Sequence, residues 1–288
     1  MNRRTFLASA AGATAALGLA PNVLADDVPR LRLSACDWSM GMRFQTAAVK
    51  LARQIGLDGV EAACGNPADT LQIATPAIQD QYKALMKETG IVVSSTAMTL
   101  GNQCPLATDK RAAAWFDQTI EATKALGATN ILMAFFGKGN LRQGDELKKT
   151  ETDNIVARLK EAAPKAEKLG VVLGLENTLS AKHNMLIMDR VGSPALKVYY
   201  DCRNSWGNGF DVPDEIRQLK DRICQFHFKD GKDYLGEGMV KWDQVRDAMN
   251  AIDYKGWIVL ETSCPSKDRV ADFKRNADFV RKLFGMKA

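Results

Sequence analysis

The sequence predicts an α/β chain closed into a single (β/α)8 barrel over residues 26–288. Three observations predict it. Short apolar runs alternate with amphipathic helical stretches along the chain, which is the pattern of a parallel α/β fold. Helices repeatedly end on a glycine that leads straight into the next apolar run. Four late runs, at 171–176 (VVLGLE), 197–201 (KVYYD), 223–227 (ICQFH) and 257–261 (WIVLE), each end on a carboxylate or an imidazole. Their last residues, Glu176, Asp201, His227 and Glu261, are 25, 26 and 34 positions apart. A barrel of about 250 residues spends roughly 30 on each βα unit, so these are successive units. Neighbouring strands of such a barrel aim their C-terminal ends into one mouth, which brings the four side chains together.

From the N-terminus, 31–36 reads as the first strand and 45–55 as its helix. The second strand, 59–62 (GVEA), follows directly. A helix over 78–89 leads to the third strand, 91–96 (IVVSST). Residues 110–126 have helical spacing, with Trp115, Ile120, Ala125 and Leu126 available for one face. Residues 130–135 (NILMAF) make the fourth strand, and 145–169 reads as a long charged helix. The joints at Gly56, Gly90, Gly127 and Gly170 share one grammar: glycine accepts the left-handed conformation at a helix end, and a buried strand starts within one to three residues. An open doubly wound sheet shares that grammar. The closed barrel is favoured because about eight units are countable and polar strand ends continue to the last one. No glycine-rich phosphate fingerprint follows the first strand, which weighs against dinucleotide binding.

Residues 1–25 stand apart from the barrel. Arg3-Arg4 precedes Thr5-Phe6-Leu7, an Ala-rich apolar stretch follows, and Val23-Leu24-Ala25 fits small-residue cleavage ahead of Asp26. This resembles a twin-arginine (Tat) export signal, in preference to an ordinary secretory signal, and implies a periplasmic or secreted protein. No later stretch approaches 18 uninterrupted apolar residues, so no stable membrane insertion is expected once the signal is removed. The net charge of +5 falls to +3 without Arg3 and Arg4. Basic and acidic residues are interspersed, so nothing reads as a nucleic-acid footprint. The six cysteines are scattered without a CxxC pair and read as buried free thiols.

The phrases GLEN from 174, RVGSPALKVYYDCRN from 190, ICQFHFKD from 223, YLGEGMVKWDQV from 234 and YKGWIVLE from 254 resemble the sugar phosphate isomerase/epimerase group of xylose-isomerase-like TIM barrels. The resemblance covers the mature chain in architecture, and motif by motif from about 171 to 262. It implies one divalent metal at the strand ends, Mn2+ first, with Mg2+, Co2+ or Zn2+ in relatives. It also implies the ligands: Glu176, Asp201, His227 and Glu261. Physically, three carboxylates and a neutral imidazole suit a divalent cation. Glu176 and Glu261 each end an apolar strand, where a lone charge is costly without a partner. Two carboxylates on opposite sides of a bound sugar can take a proton from one face and return one to the other, and Glu176 and Glu261 are assigned that work. A metal chelated by the substrate would stabilise the enediolate between the two steps.

Around this quartet lie expected substrate contacts. Lys229 and Asp230 follow His227 and either bind substrate hydroxyls or orient His227. His183, seven residues after Glu176, reaches the substrate or is a solvated helix-start residue. Glu237, in LGEG, is a contact or a loop carboxylate. Trp38, with Asp37 and Glu61 at the first strand ends, either stacks on a sugar or packs the mouth; Phe135, Phe136 and Trp206 are further candidate walls. Ketose 3-epimerases of this group carry a His three residues after the metal aspartate and an Arg six residues after the metal histidine. Here those positions hold Asn204 and Asp233, so a free-ketose specificity is in question while Asn204 stays a candidate contact.

Together these features predict a metal-dependent isomerase or epimerase of a sugar or sugar-like polyol, with a small-molecule substrate. The runner-up keeps the site but lets the carbanion expel a neighbouring oxygen, giving a lyase or dehydratase acting on an inosose or 3-keto-glycoside. Two histidines and no basic groove weigh against a trinuclear-zinc nuclease. An intact proton-shuttling pair weighs against a mere sugar-binding protein.

Overall fold

The computed structural model describes residues 31–286. In chain order its elements are β1 (Arg32–Cys36), α1 (Ala48–Ile55), β2 (Gly59–Ala63), α2 (Pro76–Thr89), β3 (Val92–Met98), α3 (Ala112–Ala125) and β4 (Asn130–Ala134). A short hairpin, β5 (Arg142–Gln143) with β6 (Glu146–Leu147), precedes α4 (Lys149–Leu169). Then come β7 (Val172–Glu176), α5 (Ala181–Val191), β8 (Leu196–Asp201), α6 (Cys202–Gly207), α7 (Val212–Leu219), β9 (Ile223–Phe228), α8 (Trp242–Ala251), β10 (Trp257–Leu260) and α9 (Arg269–Phe284). Setting the hairpin aside, eight parallel strands close in the order β1-β10-β9-β8-β7-β4-β3-β2, so the expected single (β/α)8 barrel is the fold. Each βα unit adds its strand beside the preceding one, and β1 closes the ring against both β2 and β10.

Period-two alternation sorts the strand residues into two cores. Outward residues such as Leu33, Val60, Ile131, Leu173, Phe226 and Ile258 pack under the helices, whose buried stripes recur at helical spacing: Ile155, Leu159, Ala162 and Ala166 on α4, for example. Inward residues Cys36, Ala97, Leu132, Ala134, Tyr199 and Val259 fill the barrel itself. Two inward positions are glycine for want of room. A Cβ on Gly59 would stand 2.8 Å from the Trp257 ring, and one on Gly174 would stand 3.1 Å from Tyr199 Cβ and 3.0 Å from the Ile131 carbonyl oxygen. Large rings thus cross the barrel opposite residues without side chains.

All four expected αβ joints are present, with Gly56, Gly90, Gly127 and Gly170 at positive φ. Strand boundaries differ from expectation by one or two residues. The larger difference is at 145–169, where the helix begins only at Lys149. Gly144 turns at φ +60°, Arg142 and Gln143 pair with Leu147 and Glu146, and the Arg142 guanidinium donates to the Thr178 carbonyl and Asn208 Oδ1. Tertiary anchoring therefore claims a segment whose charged composition alone reads as helix. The six cysteines all carry free thiols, three of them buried. No helix among the described residues is long and apolar enough to cross a membrane. The expected signal, 1–25, lies outside the described residues.

Candidate metal centre

The quartet gathers where adjacent strands end. Asp201 and His227 are direct partners in the β8–β9 ladder, His227 is paired with Val259 on β10, and Glu176 closes β7. Glu261 lies one residue beyond β10, its backbone N–H still donating to the Phe228 carbonyl. From His227 Nδ1 the distances are 3.1 Å to Glu176 Oε1, 3.3 Å to Glu261 Oε2 and 3.9 Å to Asp201 Oδ2. One ligand atom from each of the four residues lies within 4.8 Å of the others. His227 is fully buried at the floor, whereas the Glu261 side chain, 19% exposed, stands at the rim.

Burial and charge act oppositely on the four groups. Burial pushes the Glu176 carboxyl up to about 7, with the His227 and Lys229 charges opposing. Asp201 is raised for the same first reason, against the pull of Lys229. Glu261 goes the other way: burial would raise it, but Lys229 and His227 together hold it below the usual carboxylate range. Burial alone would depress His227, yet Glu61, Glu261 and Glu176 more than reverse this and raise it well above its ordinary value. Two carboxyl groups with opposed proton affinities facing one pocket is the arrangement that separates an acid role from a base role.

The donor set fits a divalent cation by three observations. The Lys229 ammonium sits 2.5 Å from Glu261 Oε2 and 2.9 Å from Asp201 Oδ2, so positive charge is already drawn to this spot. Asp201 Oδ2 is buried without an aligned hydrogen bond, an acceptor with capacity to spare. Oxygen and imidazole donors are those of Mn2+, Mg2+, Co2+ and Zn2+ alike. A second group, Cys36, Glu61 and His227, also comes within ligand distance. Its chemistry is poorer: burial pushes the Cys36 thiol well up, and that thiol donates to Ser39 and the Leu260 carbonyl.

Among the expected substrate contacts, Trp38 joins the site. Its indole N–H donates to Glu261 Oε1 at 3.0 Å, and its ring stands edge-on to His227 at 6.1 Å. Lys229 is there too, although on the ligand carboxylates rather than reaching past them. Asn204 lies on α6, whose N-cap is Asp201, and its backbone N–H donates to Asp201 Oδ1 at 2.7 Å. His183 sits half-buried in the first turn of α5, where Ser180 caps its backbone N–H.

Two candidates make their contacts away from the quartet. Asp230 turns away from the mouth: its oxygens accept from the backbone N–H groups of Gly236, Gly238, Met239 and Val240 and from the Trp242 indole. Five donors saturate that carboxylate, which makes it the organiser of the β9–α8 loop. Glu237 is exposed and pairs with Arg275 on α9, clear of the quartet.

Glu61 is the residue that sequence reasoning undervalued. It is fully buried on β2, and its Oε1 lies 2.8 Å from His227 Nε2 across the barrel. The only local signal is a glutamate inside an otherwise small, apolar strand (GVEA), a charge that must find a partner.

The chain belongs to the xylose isomerase-like TIM barrel family, whose model matches residues 49–283. It is similar to a 2-epi-5-epi-valiolone 7-phosphate 2-epimerase from an Actinoplanes species, 26% identical over 201 residues, 69% of this chain and 73% of that one. A D-psicose 3-epimerase from Enterocloster bolteae is 24% identical over 224 residues, 67% of this chain and 72% of that one. Among solved structures, a 3-keto-D-glucoside 4-epimerase from E. coli shares the fold with a TM-score of 0.73 at 14% identity, over 88% of this chain and 100% of that one.

Proposed function

We propose that the protein is a divalent-metal-dependent isomerase or epimerase of a sugar or sugar-like polyol, with Glu176 and Glu261 as its proton-transfer pair. The observation that carries this reading is the convergence of both carboxylates on His227 Nδ1, at 3.1 Å and 3.3 Å, inside one ligand-competent cluster. The epimerase names of its relatives support the same class. Glu176, Asp201, His227 and Glu261 would hold the ion, which supplies positive charge to an oxygen that becomes anionic as the neighbouring carbon loses its proton. Mn2+ is the proposed ion.

The chain's own residues divide the remaining work. Glu261, held ionised by Lys229 and by the Trp38 N–H, is fit to accept a proton from a substrate carbon. Glu176, the second carboxylate beside His227 Nδ1, is placed to return one. Trp38, Asn204 and His183 are the substrate contacts in this reading, with Lys229 free to exchange its carboxylate partners for a substrate hydroxyl.

The test is solvent deuterium incorporation by the purified, Mn2+-loaded protein across aldoses, ketoses, inososes and 3-keto-glycosides. Exchange at a substrate carbon, lost on chelation, supports the proposal. Absence of exchange with every class sinks it. A second reading uses the same site for elimination on an inosose or 3-keto-glycoside. The specific observation in its favour is Asn204 and Asp233 where ketose epimerases grip with His and Arg. Only elimination yields an unsaturated or ring-opened product, so product analysis in the same screen divides the two.

We further propose export of the mature chain from near Asp26 by the twin-arginine route, on the strength of Arg3-Arg4 before a weakly hydrophobic Ala-rich run. Replacing both arginines with lysine should retain the protein in the cytoplasm. Undiminished export would point to the general secretory route.

A further inference from the structure

Beneath the quartet a column of polar side chains runs through the barrel with one consistent hydrogen-bond direction. At its lower end Asn130 Nδ2 donates to Gln225 Oε1 at 2.8 Å. That fixes the Gln225 amide, whose Nε2 donates to Ser95 Oγ at 3.0 Å and to the Tyr199 hydroxyl oxygen at 2.9 Å. Both hydroxyls, having accepted from Gln225, turn their own hydrogens to Glu61 Oε2, at 2.7 Å and 2.6 Å. Glu61 Oε1 then meets His227 Nε2 at 2.8 Å. Every member is buried, so none can satisfy a misdirected hydrogen with water.

The direction of this column has a consequence at its top. Two hydroxyls spending their hydrogens on Oε2 favour the ionised form of Glu61, and a carboxylate only accepts. Its other oxygen must also accept, so the hydrogen between Glu61 and His227 resides on Nε2. When a cation sits among Glu176, Asp201 and Glu261 and displaces the hydrogen those carboxylates otherwise hold on the ring, Nδ1 is the nitrogen left to give it a lone pair. Tyr199 reinforces the ring's orientation edge-on, with centroids 4.7 Å apart.

We propose that Glu61 is a positioning residue: through Asn130, Gln225, Ser95 and Tyr199 it holds the Nε2 hydrogen of His227 and thereby makes Nδ1 the metal-binding nitrogen. The inference rests on the metal reading of the quartet. It adds that the opposite side of the barrel, which supplies no ligand, selects the tautomer of the one nitrogen ligand.

The test measures binding rather than turnover. Titration of the chelator-stripped full-length protein with Mn2+, read from the EPR signal of the free ion, should show Glu61→Gln binding on the order of 10- to 100-fold more weakly than wild type. Tyr199→Phe, which removes one donor to Glu61 and keeps the ring, should weaken binding by roughly twofold to fivefold. It serves as the gentler variant should Glu61→Gln not fold. Because the chain has only two histidines, 15N-histidine NMR of the Zn2+-loaded protein reads the tautomer directly, and His227 should carry its hydrogen on Nε2. Wild-type affinity in a folded Glu61→Gln or Tyr199→Phe protein overturns this inference alone, as does a metal-bound Nε2. Failure of the wild-type protein to bind Mn2+ or Zn2+ overturns both this inference and the metal reading.

Discussion

The two halves of the barrel do different chemistry. Strands β7, β8, β9 and β10, consecutive around the ring, bring all four candidate ligands to one side of the mouth. Strands β1 to β4 and the turn after β1 bring none of that quartet, yet they supply groups that hold it: Trp38 on Glu261, Glu61 on His227, and Ser95 and Asn130 in the column below. In the proposed reaction the first set meets the cation and the substrate. The second set is packed, saturated with hydrogen bonds and largely dry. A site that must move protons without rearranging benefits from that division, since the reacting groups stay mobile only where the chemistry needs it.

The division is tested most severely on the ligand side. Glu176→Gln and Glu261→Gln each keep shape and hydrogen bonding but cannot accept a proton. Each should lower turnover by on the order of 10²–10⁴, with a further loss from weakened metal binding. Excess metal separates the two effects: occupancy recovers, proton exchange does not. Wild-type deuterium exchange in a metal-loaded Glu261→Gln protein would remove Glu261 from the pair and shift the reacting groups away from β10.

Metal removal should have a pH signature. In the absence of metal Glu176 is raised to about 7, by burial against the charges of His227 and Lys229. Asp37 is raised to about 7 as well, by burial against N–H bonds from Ala63 and Phe44. Both values lie above those of an unfolded carboxylate, so between about pH 4 and 7 the native state binds more protons than the unfolded one. Stability of the metal-free protein therefore falls as pH rises through that window. Glu261 does not offset this, since its low value gives stability that is lost only as pH drops below the ordinary carboxylate range. Metal requires the ionised carboxylates and releases their protons. Melting curves with chelator and with Mn2+ should accordingly diverge more at pH 8 than at pH 5. A metal-free protein that melts higher at pH 8 than at pH 5 would contradict the assignment of buried, proton-holding carboxyls to this pocket.

The same contrast explains what the sequence made legible. The ligand half announces itself locally: VVLGLE, KVYYD, ICQFH and WIVLE each end an apolar strand on a metal-competent residue, at the spacing of a barrel unit. The supporting half depends on partners far away in the chain. Glu61 meets His227 across 166 positions and Trp38 meets Glu261 across 223, and no local pattern in GVEA or CDWS encodes either. Asp230 misleads for a related reason. Its place in HFKD suggests the site, whereas its partners arrive six to twelve residues later from a loop whose glycines let backbone N–H groups fold back upon it. The helix expected from 145 starts late because Arg142 is anchored to residues 178 and 208, which a composition-based reading does not connect.

Within the supporting half, Trp38→Phe isolates one hydrogen bond. Phenylalanine keeps an aromatic face near His227 but removes the donor to Glu261 Oε1. A hydrogen bond to a charged group is worth about 1.5–3 kcal/mol. The expected result is a fall of roughly tenfold or somewhat more in kcat, with Tm within a few degrees of wild type. An unchanged kcat would mean that Lys229 and His227 hold Glu261 without Trp38, and that the turn after β1 plays no part in the chemistry.

The smallest effect belongs to Glu237, and it sharpens the boundary of the site. Its carboxylate is about half exposed and pairs with Arg275, itself exposed on α9. Such pairs contribute about 0–1 kcal/mol, because water screens the attraction and two long side chains lose freedom in making it. Glu237→Ala should leave kcat/KM within about twofold of wild type and move stability by no more than that small amount. The neighbouring Asp230 carboxylate, with its five N–H donors, holds the loop in place independently of Glu237. A loss of tenfold or more in kcat/KM for Glu237→Ala, with Tm unchanged, would mean that the β9–α8 loop swings inward on binding substrate and carries Glu237 with it. The mouth would then be completed from the ligand half alone, and the supporting role assigned to β1–β4 would shrink to the floor beneath His227.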